Sequence, residues 1–313
     1  MSQQGNPLSR RDLLKLAGAS SVGVALGPTV GLAANRPTLK RTIPSSGEKL
    51  AIIGMGTSRT FDVALSAANT EKLAKVTRVF FERGGQLIDT SPMYGNAESM
   101  VGETLRRVQN KKALFTATKV WTDGRDAGIA QMKRSAERMG VGKIDLMQIH
   151  NLRDWKTHLS VLRRWKSEQK IRYIGITTSH GRFHSELKKI LETEPFDFVQ
   201  LSYNIVDRQA EKEILPLAQE KGIATLINRP FQRGDLFRAT KAKSLPTWAA
   251  DIDCRSWAQF YLKFIAGHPA VTCIIPATSK TEHMADNMEA GYGRLPDAKM
   301  REKMASFMGT QMR

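Results

Sequence analysis

Cysteine is nearly absent from the 313-residue chain: Cys254 and Cys273 are the only two, too few for a disulfide framework and without metal-site spacing. One bridge between them stays open as an alternative, although Cys273 lies in the apolar run VTCII, where a buried free thiol is expected. No metal is expected. Also missing is a strongly apolar run. Residues 16–34 are rich in Gly and Ala and too weakly hydrophobic for a membrane span. There is no basic block either. The 48 Lys and Arg against 30 Asp and Glu give a formal net charge of +18, but the excess is scattered over helical segments without interleaved aromatics. Nucleic acid is therefore not an expected partner. One further absence is a glycine. Gly54-Met55-Gly56 follows an apolar run, yet the chain continues Thr57-Ser58-Arg59, with no third glycine and no acidic residue at the later strand end. That argues against a dinucleotide fingerprint at the first turn of an open sheet.

What is present begins with an address. Ser9-Arg10-Arg11-Asp12-Leu13-Leu14-Lys15 has the form of a twin-arginine export signal, and the mildly apolar stretch after it completes the pattern. Residues 1–34 are thus read as a twin-arginine (Tat) signal peptide. Residues 35–48, polar and carrying Pro37 and Pro44, read as a linker, and residues 49–313 as one catalytic-size domain. The expected location is periplasmic or exported. The Tat export machinery is an expected partner, and no stable membrane span should remain after cleavage.

From residue 50 onward, apolar runs alternate with amphipathic segments. The runs are Leu50-Ala51-Ile52-Ile53, QLIDTS, ALFTATKV, IDLMQIH, IRYIGITT, FDFVQLSY, GIATLINRP and VTCIIPAT. Their apolar residues are consecutive, as in parallel strands covered on both faces. The intervening segments, TEKLAKVTRVFFERGG and SWAQFYLKFIAGHP among them, place apolar residues three and four apart. Eight such units predict an α/β protein with a single-domain (β/α)8 TIM barrel, with an open doubly wound sheet as the alternative. Barrel sites gather at the carboxyl ends of strands. Asp89, Lys119, His150, Thr177-Thr178, Gln200, Asn228 and Thr278 all fall there.

Asp89 and Tyr94 stand five residues apart at the end of one run, while Lys119 and His150 close the next two. A phenol with a pKa near ~10 is a poor proton donor unless assisted. A neighbouring ammonium is expected to lower that pKa, Asp89 to hold Lys119 charged, and His150 to donate a hydrogen bond to a carbonyl oxygen. Such a set suits the reduction of a carbonyl beside a hydride donor.

At these residues the chain resembles the aldo-keto reductase family. The motifs GMGTSR, IDTSPMYGNAE, TKVW, DLMQIHN, YIGITTSH, VQLSYN, RPFQRG and IIPATSKTEHMADN recur in the family's order and cover nearly everything after the first forty-odd residues. The resemblance implies an NAD(P)H-dependent oxidoreductase that reduces a small aldehyde or ketone. Tyr94 would be the general acid, Lys119 and Asp89 its tuning pair, and His150 the group orienting the carbonyl. It further implies cofactor contacts at Gly56 and Thr57, at Thr177, Thr178 and Gln200 for the nicotinamide amide, and at Pro230, Phe231, Arg233 and Gly234 for the pyrophosphate. Thr278, Ser279, His283 and Asn287 would take the adenosine end. Three positions depart from the pattern. Thr178 stands for the usual Asn, Asn228 for the ring that stacks on nicotinamide, and His283 for an arginine on the 2'-phosphate. NADPH is the expected cofactor, with NADH admitted. A second reading from another class is an exported cofactor-binding barrel serving as a redox sensor or binding subunit without steady turnover.

Overall fold

The computed structural model describes residues 37–179 and 181–312. The signal-peptide reading of residues 1–34 lies outside these. The described chain opens with an antiparallel hairpin, β1 (Lys40–Thr42) and β2 (Lys49–Ala51). Eight parallel strands follow: β3 (Met55–Gly56), β4 (Leu87–Asp89), β5 (Phe115–Val120), β6 (Ile144–Ile149), β7 (Ile171–Thr177), β8 (Phe198–Ser202), β9 (Ala224–Asn228) and β10 (Cys273–Ile274). They pair in chain order, and the parallel bridges Ile53↔Ile274 and Gly56↔Ala277 join last to first. The open-sheet alternative is thereby excluded.

Helices alternate with the strands: α1 (Ala67–Glu82), α2 (Ala97–Arg107), α3 (Arg125–Met139), α4 (Trp155–Ser167), α5 (His184–Thr193), α6 (Ile214–Glu220), α7 (Asp235–Thr240), α8 (Trp257–Ala266), α9 (Thr281–Glu289) and α10 (Ala298–Gln311). Local sequence sets their ends. The Ser66 hydroxyl accepts the Asn69 amide at the start of α1, and Asp297 does the same for Met300 at α10, satisfying donors that no helical carbonyl reaches. At the end of α3, Gly140 takes a left-handed conformation (φ 64°) that a side chain would resist. Cys254 and Cys273 are buried free thiols.

Two expectations need correction. Residues 35–48 are not simply a linker: Lys40–Thr42 is a strand, and Pro44 to Gly47 form the hairpin turn, which is why the stretch looked polar. Likewise Leu50 and Ala51 belong to the hairpin, and the first barrel strand begins at Met55. The hairpin has a role. Its Ile43 and Leu50 are buried with Leu87, Phe115, Leu146, Tyr173, Phe198 and Leu226 in one apolar cluster inside the barrel. Glu48 and Ser46 accept and share the Tyr173 hydroxyl proton at 2.6 and 2.8 Å.

Strand alternation then separates the lumen into layers. In β5, Phe115 and Ala117 join the apolar plug and Lys119 follows two residues later; in β6 the series is Leu146, Gln148 and then His150 beyond the strand. β7 gives Tyr173, Gly175, Thr177, and β8 gives Phe198, Gln200, Ser202. Rings fill the amino end, Phe115 stacking on Tyr173 at 5.7 Å and Tyr173 meeting Phe198 edge-on at 5.5 Å. Polar side chains fill the carboxyl end. Gly175 lies between, and a Cβ there would stand 2.7 Å from Cγ of Gln148, so its missing side chain makes room for that glutamine.

Candidate active site

At the carboxyl end, β4 delivers Asp89 and β5 delivers Lys119, both buried. The Lys119 ammonium donates to both Asp89 oxygens, at 2.9 and 2.7 Å, and to the Thr90 carbonyl at 2.7 Å. Asp89 Oδ1 also accepts the amides of Gln148 (3.0 Å) and Gln200 (2.9 Å). Three donors, making four hydrogen bonds, thus fix one carboxylate. Burial opposes the lysine charge, but Asp89 and Tyr94 together outweigh it and hold the ammonium above its ordinary value.

Tyr94 lies on the loop after β4, its ring 5.2 Å from the Lys119 ammonium and edge-on to His150 at 5.9 Å. Burial pushes the phenol above its ordinary value, Lys119 pulls it down, and Asp89 pushes it up again. The net direction is upward. This corrects the sequence expectation that Lys119 would leave Tyr94 lowered: the desolvation of a phenolate is the larger effect, and the charge of Asp89 adds to it.

Burial, then the Lys119 charge, draws His150 down to about 2, so its imidazole is neutral. Its Nδ1 lies 3.0 Å from Ser91 Oγ, which already accepts the Met93 amide at 3.2 Å. A serine proton given to Nδ1 would place the imidazole's own proton on Nε2, where it can donate to a ligand oxygen.

Tyr94, His150 and Asp89 line a cavity of ≈ 480 Å³. So do Gly56, Thr57, Thr177, Gln200, Asn228, Pro230, Phe231, Arg233 and Gly234. The structure therefore brings most of the sequence-named residues together. Thr178 is buried behind the lining, where its carbonyl accepts the Asn228 amide at 3.0 Å. Gln200 reaches the cavity and donates one of its two amide protons to Asp89. Thr278, Ser279, His283 and Asn287 sit farther along the last loop and α9 and are not part of the lining; Asn287 is buried and His283 exposed.

Sequence reasoning passed over several residues. Gln148 precedes His150 by two, the spacing that puts both on one strand face, which was a readable signal. Ser91, Asn151, Arg59, Arg229 and Phe237 also had no assigned role. All but Ser91 line the cavity; Arg59 and Arg229 lie on loops whose direction no periodicity encodes, Asn151 in the single turn after β6, and Phe237 on the short helix α7.

An apolar-plugged (β/α)8 barrel with a charged, hydrogen-bonded cavity on its carboxyl face is the architecture of a barrel enzyme. The model of the aldo/keto reductase family matches residues 52–305, and the chain belongs to that family. It is 24% identical over 212 residues to aldo-keto reductase YhdN of Bacillus subtilis, covering 62% of each chain. It is 28% identical over 182 residues to the NADH-specific methylglyoxal reductase of Escherichia coli, covering 48% of this chain and 54% of that protein. The matched regions are thus under two thirds of either relative. Among solved structures, an aldo-keto reductase from Klebsiella pneumoniae in complex with NADPH superposes with a TM-score of 0.68 at 21% identity, covering 87% of this chain and 95% of the other.

Proposed function

We propose that the protein is an NAD(P)H-dependent oxidoreductase that reduces a small aldehyde or ketone to an alcohol. The observation that carries it is the placing of a protonated Tyr94 and a neutral His150 on one cavity, above a buried Asp89 and Lys119 pair. His150 would hold the carbonyl oxygen, Tyr94 would give that oxygen a proton, and Lys119 would stabilise the phenolate left behind.

The residues fit a dinucleotide. Asn151 and Asn228 line the cavity, and each has a buried side-chain oxygen with no hydrogen-bond partner, two acceptors for a carboxamide NH2. Gly56 brings bare backbone to the lining, where a Cβ would lie 2.7 Å from the Ile275 carbonyl. Asn151, Thr177 and Asn228 would hold the nicotinamide, Arg233 and Gly234 the pyrophosphate, and Thr278, Ser279 and Asn287 the adenosine. When bound, the cofactor supplies a hydride, so that a C–H bond forms, the C=O π pair moves to oxygen and takes the Tyr94 proton, and the nicotinamide is oxidised. His283 and the nearby Lys280 favour NADPH through its extra phosphate, while the NADH-specific relative keeps NADH in view.

Titrating the full chain with NADPH and with NADH, followed by tryptophan fluorescence, tests this without a guess at substrate. Micromolar binding of at least one is expected, and binding of neither would overturn the reading. Asn228, where a stacking ring is usual, favours the second reading of a cofactor-binding subunit without steady turnover. Binding without reduction of any aldehyde would select it.

We also propose export by the twin-arginine route to the periplasm, on the strength of Arg10-Arg11 and the stretch after it. No helix of the described residues is long and apolar enough to cross a membrane. Arg10-Arg11→Lys-Lys is expected to leave the protein in the cytoplasmic fraction. Undiminished recovery from the periplasm would mean that the address has been misread.

A further inference from the structure

The loop that follows β9 is held in a strained shape. Arg229, Gln232 and Arg233 have positive φ, at 53°, 48° and 56°, and Gly234 follows at 97°. Non-glycine residues persist in that region where the surrounding structure over-determines them. Two hydrogen bonds lie inside the loop, from the Gln232 amide to the Arg229 carbonyl at 3.0 Å and from the Gly234 amide to the Phe231 carbonyl at 2.8 Å. A tie from outside comes from Asn204, on the neighbouring loop.

Asn204 stands two residues beyond β8, whose Ser202 is in register with Asn228 of β9, so it comes beside the turn that begins at Arg229. It is fully buried. Its Nδ2 donates to the Arg229 carbonyl and to Gln232 Oε1, each at 3.1 Å. Its Oδ1 accepts the amides of Val206 and Asp207 at 3.0 and 2.9 Å. Both protons and both lone pairs of the carboxamide are thus used. Only this orientation satisfies them, because two backbone N–H groups face its oxygen and a backbone carbonyl faces its nitrogen. The preceding residue is anchored in turn, since the Tyr203 hydroxyl donates to Glu211, which also accepts Arg301 of α10. Asn204 therefore joins a firmly anchored turn to a strained one. Of the strained loop, Arg229, Pro230, Phe231, Arg233 and Gly234 line the cavity, whereas Asn204 stands behind them.

We propose that Asn204 is a positioning residue for the cofactor: through the Arg229 carbonyl and Gln232 it fixes the loop after β9 in the shape that receives the dinucleotide pyrophosphate. The inference rests on the oxidoreductase reading and deepens it. A loop fixed before binding has less conformational freedom to lose when the ligand arrives, so the strap acts on affinity and not on the hydride step. The position calls for asparagine because it needs an acceptor facing one turn and a donor facing the other.

Asn204→Asp separates the strap from the local turn, since a carboxylate still accepts the Val206 and Asp207 amides but has no proton for Arg229 or Gln232. In the full chain without cofactor, hydrogen exchange of residues 229–237, read by mass spectrometry, is expected to quicken about 10-fold while β4 to β6 are unchanged. The Kd for NADPH, from fluorescence titration, should rise about 10-fold, and kcat at saturating NADPH should stay within about 2-fold of the wild type. Gln232→Ala removes one of the two bonds across the loops at a half-buried position and should weaken NADPH about 3-fold, which keeps the idea testable if the Asn204 variant fails to fold. Tyr203→Phe is the control for general loosening: it should lower Tm and leave the Kd alone. Exchange in 229–237 no faster than in the wild type would overturn the strap. So would a fall in kcat as large as the rise in Kd, which would make Asn204 a support of the fold at large. A wild type that binds neither NADPH nor NADH would sink the oxidoreductase reading and the cofactor role with it, while the exchange measurement separately decides whether Asn204 holds the loop.

Discussion

Tyr94→Phe is expected to lower kcat for carbonyl reduction by about 10³-fold, within the range that a positioned proton donor contributes, while NADPH binding changes little. The substitution removes one hydroxyl. The ring stays edge-on to His150 and beside the Lys119 ammonium, so the fold has no reason to change. Stopped-flow or steady-state turnover set against fluorescence titration of NADPH separates the two effects, and a variant with undiminished turnover would remove Tyr94 from the mechanism. The wild-type pH profile carries the same argument. Because burial raises the Tyr94 pKa, the acid form persists through neutral and mildly alkaline pH, and reduction declines only as pH climbs through that raised value. His150, drawn down to about 2, stays neutral and adds no limb near pH 6 to 7. A rate that fell on raising the pH from about 6 to about 8 would contradict both assignments.

Lys119→Met has the second large effect, and it falls on stability as well as rate. It leaves Asp89 buried with two amides and no cation. Removing one partner of a buried ion pair costs about 3–5 kcal/mol, because the remaining charge stays desolvated. For a domain of this size that corresponds to a fall in Tm on the order of 10 °C. Turnover should fall by about 10²-fold or more, since the phenolate loses its neighbouring cation. The double variant Asp89→Asn with Lys119→Met removes both charges. It is expected to regain most of the lost Tm in scanning calorimetry while remaining inactive. A single variant as stable as the wild type would show that the pair is not desolvated as described. Recovery of activity in the double variant would show that Lys119 has no part in the chemistry.

The residues of this site differ in how plainly the sequence marks them. Asp89, Lys119 and His150 could be found because each closes an apolar run, and a charged or ionisable side chain at that place is costly unless a site uses it. Tyr94 needed the family motif, since its loop has no period. The direction of the Tyr94 shift is not legible in the sequence, which shows a neighbouring ammonium but neither the burial of the phenol nor the nearness of the Asp89 charge to it. The hairpin was missed for a related reason. Pro44, Ser45, Ser46 and Gly47 look like a linker in any window, and only the closing of the barrel's amino end by Ile43 and Leu50 gives their turn a purpose.

By itself the sequence determined the alternation of strands and helices, the barrel class and the identity of the chemical groups at the strand ends, because these follow from period, run length and the cost of burying polar atoms. Tertiary structure alone decided the rest. It showed which strand faces line the lumen, that Gln148 and Gln200 both hold Asp89, and that Ser91 meets Nδ1 of His150. It also brought Arg59 and Arg229 into one cavity from loops 170 positions apart, the difference of their numbers. The physical reason is that periodicity encodes the direction of side chains within a strand or helix, whereas loop side chains take their direction from contacts made only once the barrel has closed.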